Sequence, residues 1–185
     1  MELKVNFDEK YTYEDYLTWD DDIRYELIDG VPFMMSAPST EHQAILGDLF
    51  VEFKNYLKGK ECKVFVAPFD IRLNWDAKNN TVVQPDIVVY CDLDKLDKKG
   101  GKGAPDLIIE VLSPSTSKRD RGIKRALYEN FKVKEYWIVD PGNCIIEAFT
   151  FKDDLYHVEI YDRKDTIPVG IFEDFSIDLS EIFEE

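Results

Sequence analysis

Short apolar runs bounded by Gly, Pro, Asn and Asp alternate along the chain with stretches in which apolar residues recur at helical spacing. Thr12 followed by Asp15 resembles a capping box and predicts a helix running to about Trp19. IRYELI, Asp29-Gly30 and VPFMMS read as a hairpin, because Asp-Gly suits a tight turn of positive φ. Ser39 or Thr40 can cap the next helix, on which Ile45, Leu49, Phe53, Tyr56 and Leu57 keep the period and Lys58-Gly59 supplies a stop. CKVFVAPFDIRLN is expected to be one long strand bent near Pro68, and VVQPDIVVYC a second strand in which Pro85 restricts pairing. DLDKLDKKGGKG, charged and carrying Gly100, Gly101 and Gly103, is expected to be a mobile loop. PDLIIEVLS then reads as the central strand, SKRDRGIKRALYENFK as a helix and EYWIVDP as another strand. NCIIEAFTFK and LYHVEIYD predict a hairpin around Lys152-Asp153-Asp154, and the amphipathic tail IFEDFSIDLSEIFEE a short final helix. The middle of the chain therefore reads helix, three strands, helix, strand. That is an α/β arrangement with a mixed sheet (α+β), because some strands in series are joined by short turns. A single domain over 1–185 is expected, with a core at about 38–141, an N-terminal helix and hairpin in 1–37, and a C-terminal hairpin and tail in 142–185.

Composition narrows the function. The 38 acidic and 23 basic residues leave a formal charge of −15, which disfavours loose binding to nucleic acid or anionic membrane but leaves room for a local basic cleft. Cys62, Cys91 and Cys144 show no zinc-type spacing, and with two of them in apolar runs they read as buried free thiols in a reducing compartment. MELKVNFDEK has no apolar signal segment and no uncharged run is long enough to span a bilayer, so a cytoplasmic location is expected.

The chemistry concentrates where the hydrophobic pattern is broken. Glu110 interrupts LIIEVL, and an unpartnered carboxylate inside such a strand costs several kcal/mol or more. Asp86 lies in the neighbouring aliphatic run. If the two strands pair, both carboxylates meet at one edge of the sheet, where a divalent cation such as Mg²⁺ would relieve their repulsion. On the following helix Ile123, Leu127 and Phe131 form the expected apolar stripe. Asp120, Lys124 and Tyr128 recur beside it, which puts Lys124 at the edge of the buried face and within reach of the acids. Two acids, a lysine and a metal make a hydrolytic site. The same residues also read as a structural ion pair between helix and sheet. Lys95, Lys98, Lys99 and Lys102 on one side of the Glu110 strand, and Lys118, Arg119, Arg121 and Arg125 on the other, would form a positive rim for a phosphate backbone.

The series YELIDG, PSTEHQ, APFDIRL, VVQPDIVV and GAPDLIIEVLSPSTSKRDRGIKRALYENFKVKEYWIVDP, from about Tyr25 to Pro141, resembles the Uma-two family. That family comprises restriction-endonuclease-like domains of the PD-(D/E)xK nuclease superfamily. The resemblance implies a core of helix, three strands, helix and strand, and an endonuclease that uses Mg²⁺ (or Mn²⁺) to cleave phosphodiester bonds in DNA. It implies Asp86 and Glu110 as metal-binding acids, the Val111 carbonyl as a further ligand and Lys124 as the catalytic lysine. The superfamily's usual lysine, two residues after the second acid, is replaced here by Leu112, and Lys118 and Arg121 are rivals of Lys124. Glu26 and His42 also match family positions. Gln84 is expected on the same side of its strand as Asp86, near a metal-bound water. The flanking hairpins suggest a homodimer. The alternative is a non-catalytic protein that keeps the nuclease fold and acts by self-association.

Overall fold

The computed structural model describes residues 5–19, 22–114 and 117–183. Thr12 caps α1 (Tyr13–Tyr16): its hydroxyl accepts from the Asp15 amide while the Asp15 carboxylate accepts from the Thr12 amide. The helix is shorter than expected, because the Thr18 and Trp19 amides turn back onto the Asp15 and Tyr16 carbonyls. This lays the Trp19 ring edge-on to Tyr11, Tyr16 and Tyr25. β1 (Tyr25–Ile28) and β2 (Val31–Met34) form the expected hairpin, with Asp29 and Gly30 at φ 51° and 79°. Ser39 caps α2 (Thr40–Tyr56) by accepting the His42 amide, and Ile45, Leu49 and Phe53 are its buried stripe.

The long strand expected after Cys62 is two strands. β3 (Lys63–Val66) and β4 (Ile71–Arg72) belong to different sheets, and the chain crosses between them at the cis Ala67–Pro68 peptide. The next expected strand divides at the same level, into β5 (Val82–Val83) and β6 (Ile87–Tyr90), with Pro85 in the gap where no ladder N–H is required. The expected mobile loop is also corrected. Leu96–Asp97 (β7) and Gly100–Lys102 (β8) form a hairpin, and β8 pairs with β4. Its glycines permit this close approach: a Cβ on Gly101 would strike the Tyr90 hydroxyl, and one on Gly100 the Asp70 carbonyl.

β9 (Leu107–Val111) leads into α3, which is α-helical over Ser117–Arg119, widens into a π turn at Asp120–Lys124 and resumes as α-helix at Arg125–Asn130. β10 (Glu135–Asp140), β11 (Ile145–Lys152) and β12 (Leu155–Asp162) follow, then a small hairpin of β13 (Thr166–Pro168) and β14 (Ser176–Asp178). The main sheet has the order β12-β11-β10-β9-β6-β3, and the second β2-β1-β5-β4-β8-β7. β9 and β10 are parallel, so α3 is their crossover helix. On one face of the main sheet α2 and the tail pack on Val89, Ile109 and Trp137; on the other, α3 and the second sheet enclose Val88, Ile108 and Tyr136. Instead of a final helix, the described tail makes one turn on Leu179 that buries Ile182 and Phe183.

The cysteine reading is overturned in part. The register Lys63↔Tyr90 places Cys62 opposite Cys91, and the two form a disulfide across β3 and β6. Only Cys144 is a free thiol. Among the described residues no helix is long and apolar enough to cross a membrane.

Candidate active site

Five elements converge on one cleft. β9 carries Glu110 and Val111, the start of β6 brings Asp86, α2 brings His42, α3 brings Lys124, and β1 of the second sheet brings Glu26. The sequence places the acids by simple means. Leu107, Ile109 and Val111 point into the core on the α2 side, so strand alternation turns Glu110 to the opposite face, beneath α3. There the Lys124 ammonium lies 2.8 Å from Glu110 Oε1, 2.8 Å from Glu26 Oε1 and 3.7 Å from Asp120 Oδ1. The Tyr128 hydroxyl donates to the same Glu110 oxygen at 2.9 Å. Asp86 Oδ2 accepts from the Val111 amide at 2.8 Å and meets His42 Nε2 at 3.1 Å, and the Val111 carbonyl also faces the His42 ring. A cleft of about 230 Å³ opens over these groups, lined in addition by Arg24, Ser113 and Arg119.

The buried face of α3 keeps Leu127 and Phe131 of the expected apolar stripe but is shifted onto the polar row beside it. Asp120, Lys124 and Tyr128 are buried against the sheets, whereas Ile123 is 47% exposed. An isolated amphipathic reading assigns burial to apolar residues. Here the acids beneath the helix make the polar row the complementary one, and the π turn widens the helix where that row begins.

Charge explains the local electrostatics. Burial pushes the Glu110 carboxyl well up, Lys124 opposes this, and Asp120, Asp86 and Glu26 reinforce it. For Lys124 burial pulls downward, but Glu110, Glu26 and Asp120 prevail and hold the ammonium well above its usual range. Lys124 is therefore a fixed cation at neutral pH, not a proton acceptor. His42 is lowered by burial, yet the bond to Asp86 outweighs this and its pKa is raised.

The remaining sequence-derived candidates are scattered. The Gln84 side chain does not reach Asp86 or Glu110: it bonds Arg24, Tyr16 and Asp70, and only its backbone amide reaches the site, donating to Glu26 Oε1 at 2.9 Å. Lys118 is exposed. Arg119 lies 3.6 Å from Glu26 Oε2, and its Nε has no hydrogen-bond partner among the described residues. Arg121 turns to Asp140 and Glu147 and ties α3 to β10 and β11. Leu112 is buried in the apolar core, so no lysine approaches from that position. The Glu26–Lys124 contact had no local signal, because it joins a strand of the second sheet to a helix far along the chain.

Among the described residues no three His, Cys, Asp or Glu side chains gather as a metal cluster. The available donors are Asp86, Glu110 and the Val111 carbonyl. Among the described residues Asp86 Oδ1 and Glu110 Oε2 carry no hydrogen bond, while the other oxygen of each is held in place. That donor set suits a hard cation that keeps several waters, as Mg²⁺ does.

The chain is 31% identical over 179 residues to "Uncharacterized protein slr1290" of Synechocystis sp., an alignment covering 92% of this chain and 90% of that protein. The fold is similar to that of a crystal structure described as "a putative nuclease belonging to DUF820" from Anabaena variabilis. The TM-score is 0.76 at 18% identity, covering 94% of this chain and 97% of that one. The family model described as "Putative restriction endonuclease" matches residues 13–180, and the chain belongs to that family, Uma2.

Proposed function

We propose that this protein is a nuclease that hydrolyses phosphodiester bonds in DNA with Mg²⁺ or Mn²⁺ held by Asp86, Glu110 and the Val111 carbonyl. The observation that carries this reading is the meeting of Asp86, Glu110 and the Val111 carbonyl at the cleft, with one oxygen of each carboxylate already held in place. Burial and the neighbouring Asp120, Asp86 and Glu26 push the Glu110 carboxyl up, and a divalent ion between Asp86 and Glu110 would offset that push. When bound, such an ion polarises a phosphoryl oxygen and lowers the pKa of its water. Lys124 and Tyr128 fix one Glu110 oxygen and leave the other toward the cleft. The Val111 amide and His42 do the same for Asp86. Arg119 lines the cleft, and its guanidinium supplies a cation for a phosphate oxygen.

Turnover of plasmid and oligonucleotide DNA with Mg²⁺ or Mn²⁺ tests this. Asp86→Asn and Glu110→Gln are each expected to lower the rate by about 100-fold or more. Undiminished cleavage by both variants would refute the assignment. The burial of Lys124 favours a second reading, a nuclease-shaped scaffold in which Lys124 is purely structural. Calorimetry separates the two, since a scaffold shows no Mg²⁺ or Mn²⁺ binding in the millimolar range.

A further inference from the structure

β12 is an edge of the main sheet, and its outer side is unprotected at the centre. It pairs with β11 without a bulge over its whole length, Lys152↔Leu155 to Ile145↔Asp162. Its sequence, LYHVEIYD, contains none of the Lys, Pro or bulge devices that blunt sheet edges. The Tyr156 and Asp162 amides turn away from β11 and are taken by the side chains of Glu129 and Asp165, at 2.7 and 2.8 Å. By the alternation of an antiparallel ladder, the Val158 and Ile160 amides point outward as well, and among the described residues neither has a hydrogen-bond partner there. These two residues are 51% and 64% exposed. An open, apolar pair of ladder positions thus lies between two capped ends.

We infer that two copies of this chain associate through β12 in an antiparallel pair about a two-fold axis at Val158. Only residues with outward amides can exchange hydrogen bonds, so the register moves in steps of two. With the axis at Val158, the two Val158 residues exchange their open amides, Tyr156 lies opposite the partner's Ile160 with its amide moving from Glu129 to the partner's Ile160 carbonyl, and His157 lies opposite the partner's Glu159. By symmetry the His–Glu pairing occurs twice. One step in one direction sets Glu159 against the partner's Glu159, and one step in the other sets His157 against the partner's His157. Like groups directly opposite each other disfavour both. The apolar residues Tyr156, Val158 and Ile160 share one face and meet their counterparts in the chosen register. The occupant is a second copy of the chain because the edge is complementary to itself, as a two-fold contact requires.

Sedimentation equilibrium of the full chain across the micromolar range tests the inference. The wild type is expected to dimerise. Val158→Lys/Ile160→Lys is expected to be monomeric with an unchanged far-UV circular dichroism spectrum, since both side chains are exposed, and its thermal midpoint is expected to lose the concentration dependence of the wild type. His157→Glu is expected to weaken the dimer about ten-fold, and His157→Glu/Glu159→Lys to restore it to near wild-type strength. A wild type that stays monomeric would overturn the inference, as would a dimer indifferent to the lysine pair. Failure of the charge swap to restore association would overturn the register. Unlimited growth with concentration would overturn the two-fold, pointing instead to β12 meeting the β3 edge of another copy.

Discussion

Lys124 on α3 reaches Glu26 on β1 at 2.8 Å while it holds Glu110 on β9 at the same distance, so one ammonium joins the crossover helix to both large sheets. All three side chains are almost fully buried. Lys124→Met would leave Glu26 and Glu110 without their main counter-charge and is expected to cost about 3–5 kcal/mol in urea denaturation. Adding Glu110→Gln to that variant is expected to recover part of the loss, with a coupling of about 1 kcal/mol or more. Strictly additive losses would show that the pair does not act as a unit.

The glycines at the sheet edge and in the helix predict opposite signs. A Cβ on Gly101 meets the Tyr90 ring and hydroxyl, and Tyr90 is fully buried, so Gly101→Ala is expected to destabilise by about 1–3 kcal/mol. Nothing lies within 4 Å of a Cβ on Gly122, in the π turn of α3. Gly122→Ala is expected to stabilise by about 0.5–1 kcal/mol by limiting the unfolded chain. Thermal melting of both variants decides the matter, and a loss at Gly122 would mean the π turn itself requires glycine.

Arg72 donates to Asp97 at 2.6 Å and ties β7 to β4, and this bond holds the Asp97 carboxyl below its usual range. A carboxylate whose pKa falls on folding adds stability above its unfolded value, near 3.8, and loses it as pH drops through the folded value. The stability difference between wild type and Asp97→Asn is therefore expected to be constant from neutral pH to about 5 and to shrink on further acidification. A difference that grows toward low pH would contradict the assignment.

The Cys62–Cys91 bridge closes a loop with a sequence separation of 29 and clamps the strand that begins beside Asp86. Cys62→Ser/Cys91→Ser is expected to lower stability by about 3–4 kcal/mol through restored loop entropy in the unfolded chain. The same shift is expected for wild type in strong reductant. A thermal midpoint insensitive to reductant would show that the bridge contributes nothing.

Local chemistry was legible wherever one residue type dictates a backbone state. Asp29-Gly30, the Ser39 cap, the Thr12–Asp15 box and the Asp153-Asp154 turn all stand where their sequences place them. So does the anomaly of Glu110 in an apolar strand, together with the approach of Lys124 from the next helix. The misreadings share one cause. The breaks near Pro68 and Pro85 look like bends within strands, yet the chain there changes sheets, a choice set by pairing partners distant in sequence. The glycine-rich segment looks mobile until β4 and Tyr90 are beside it. The exposed Ile123 and the fully buried Lys124 rotate the expected helix face at its first turns, because the surface under that part of α3 is made of carboxylates, while Leu127 and Phe131 stay packed as expected.

By itself, then, the order of residues determined the caps, turns, apolar strands and the two acids with their lysine, because propensity, period and uncompensated charge act over a few residues. Tertiary structure alone decided which strands share a sheet, that Glu26 is the second partner of Lys124, where Gln84 and Arg121 turn, and that Cys62 meets Cys91. Each of those outcomes depends on groups far apart along the chain, whose proximity exists only once the sheets have paired.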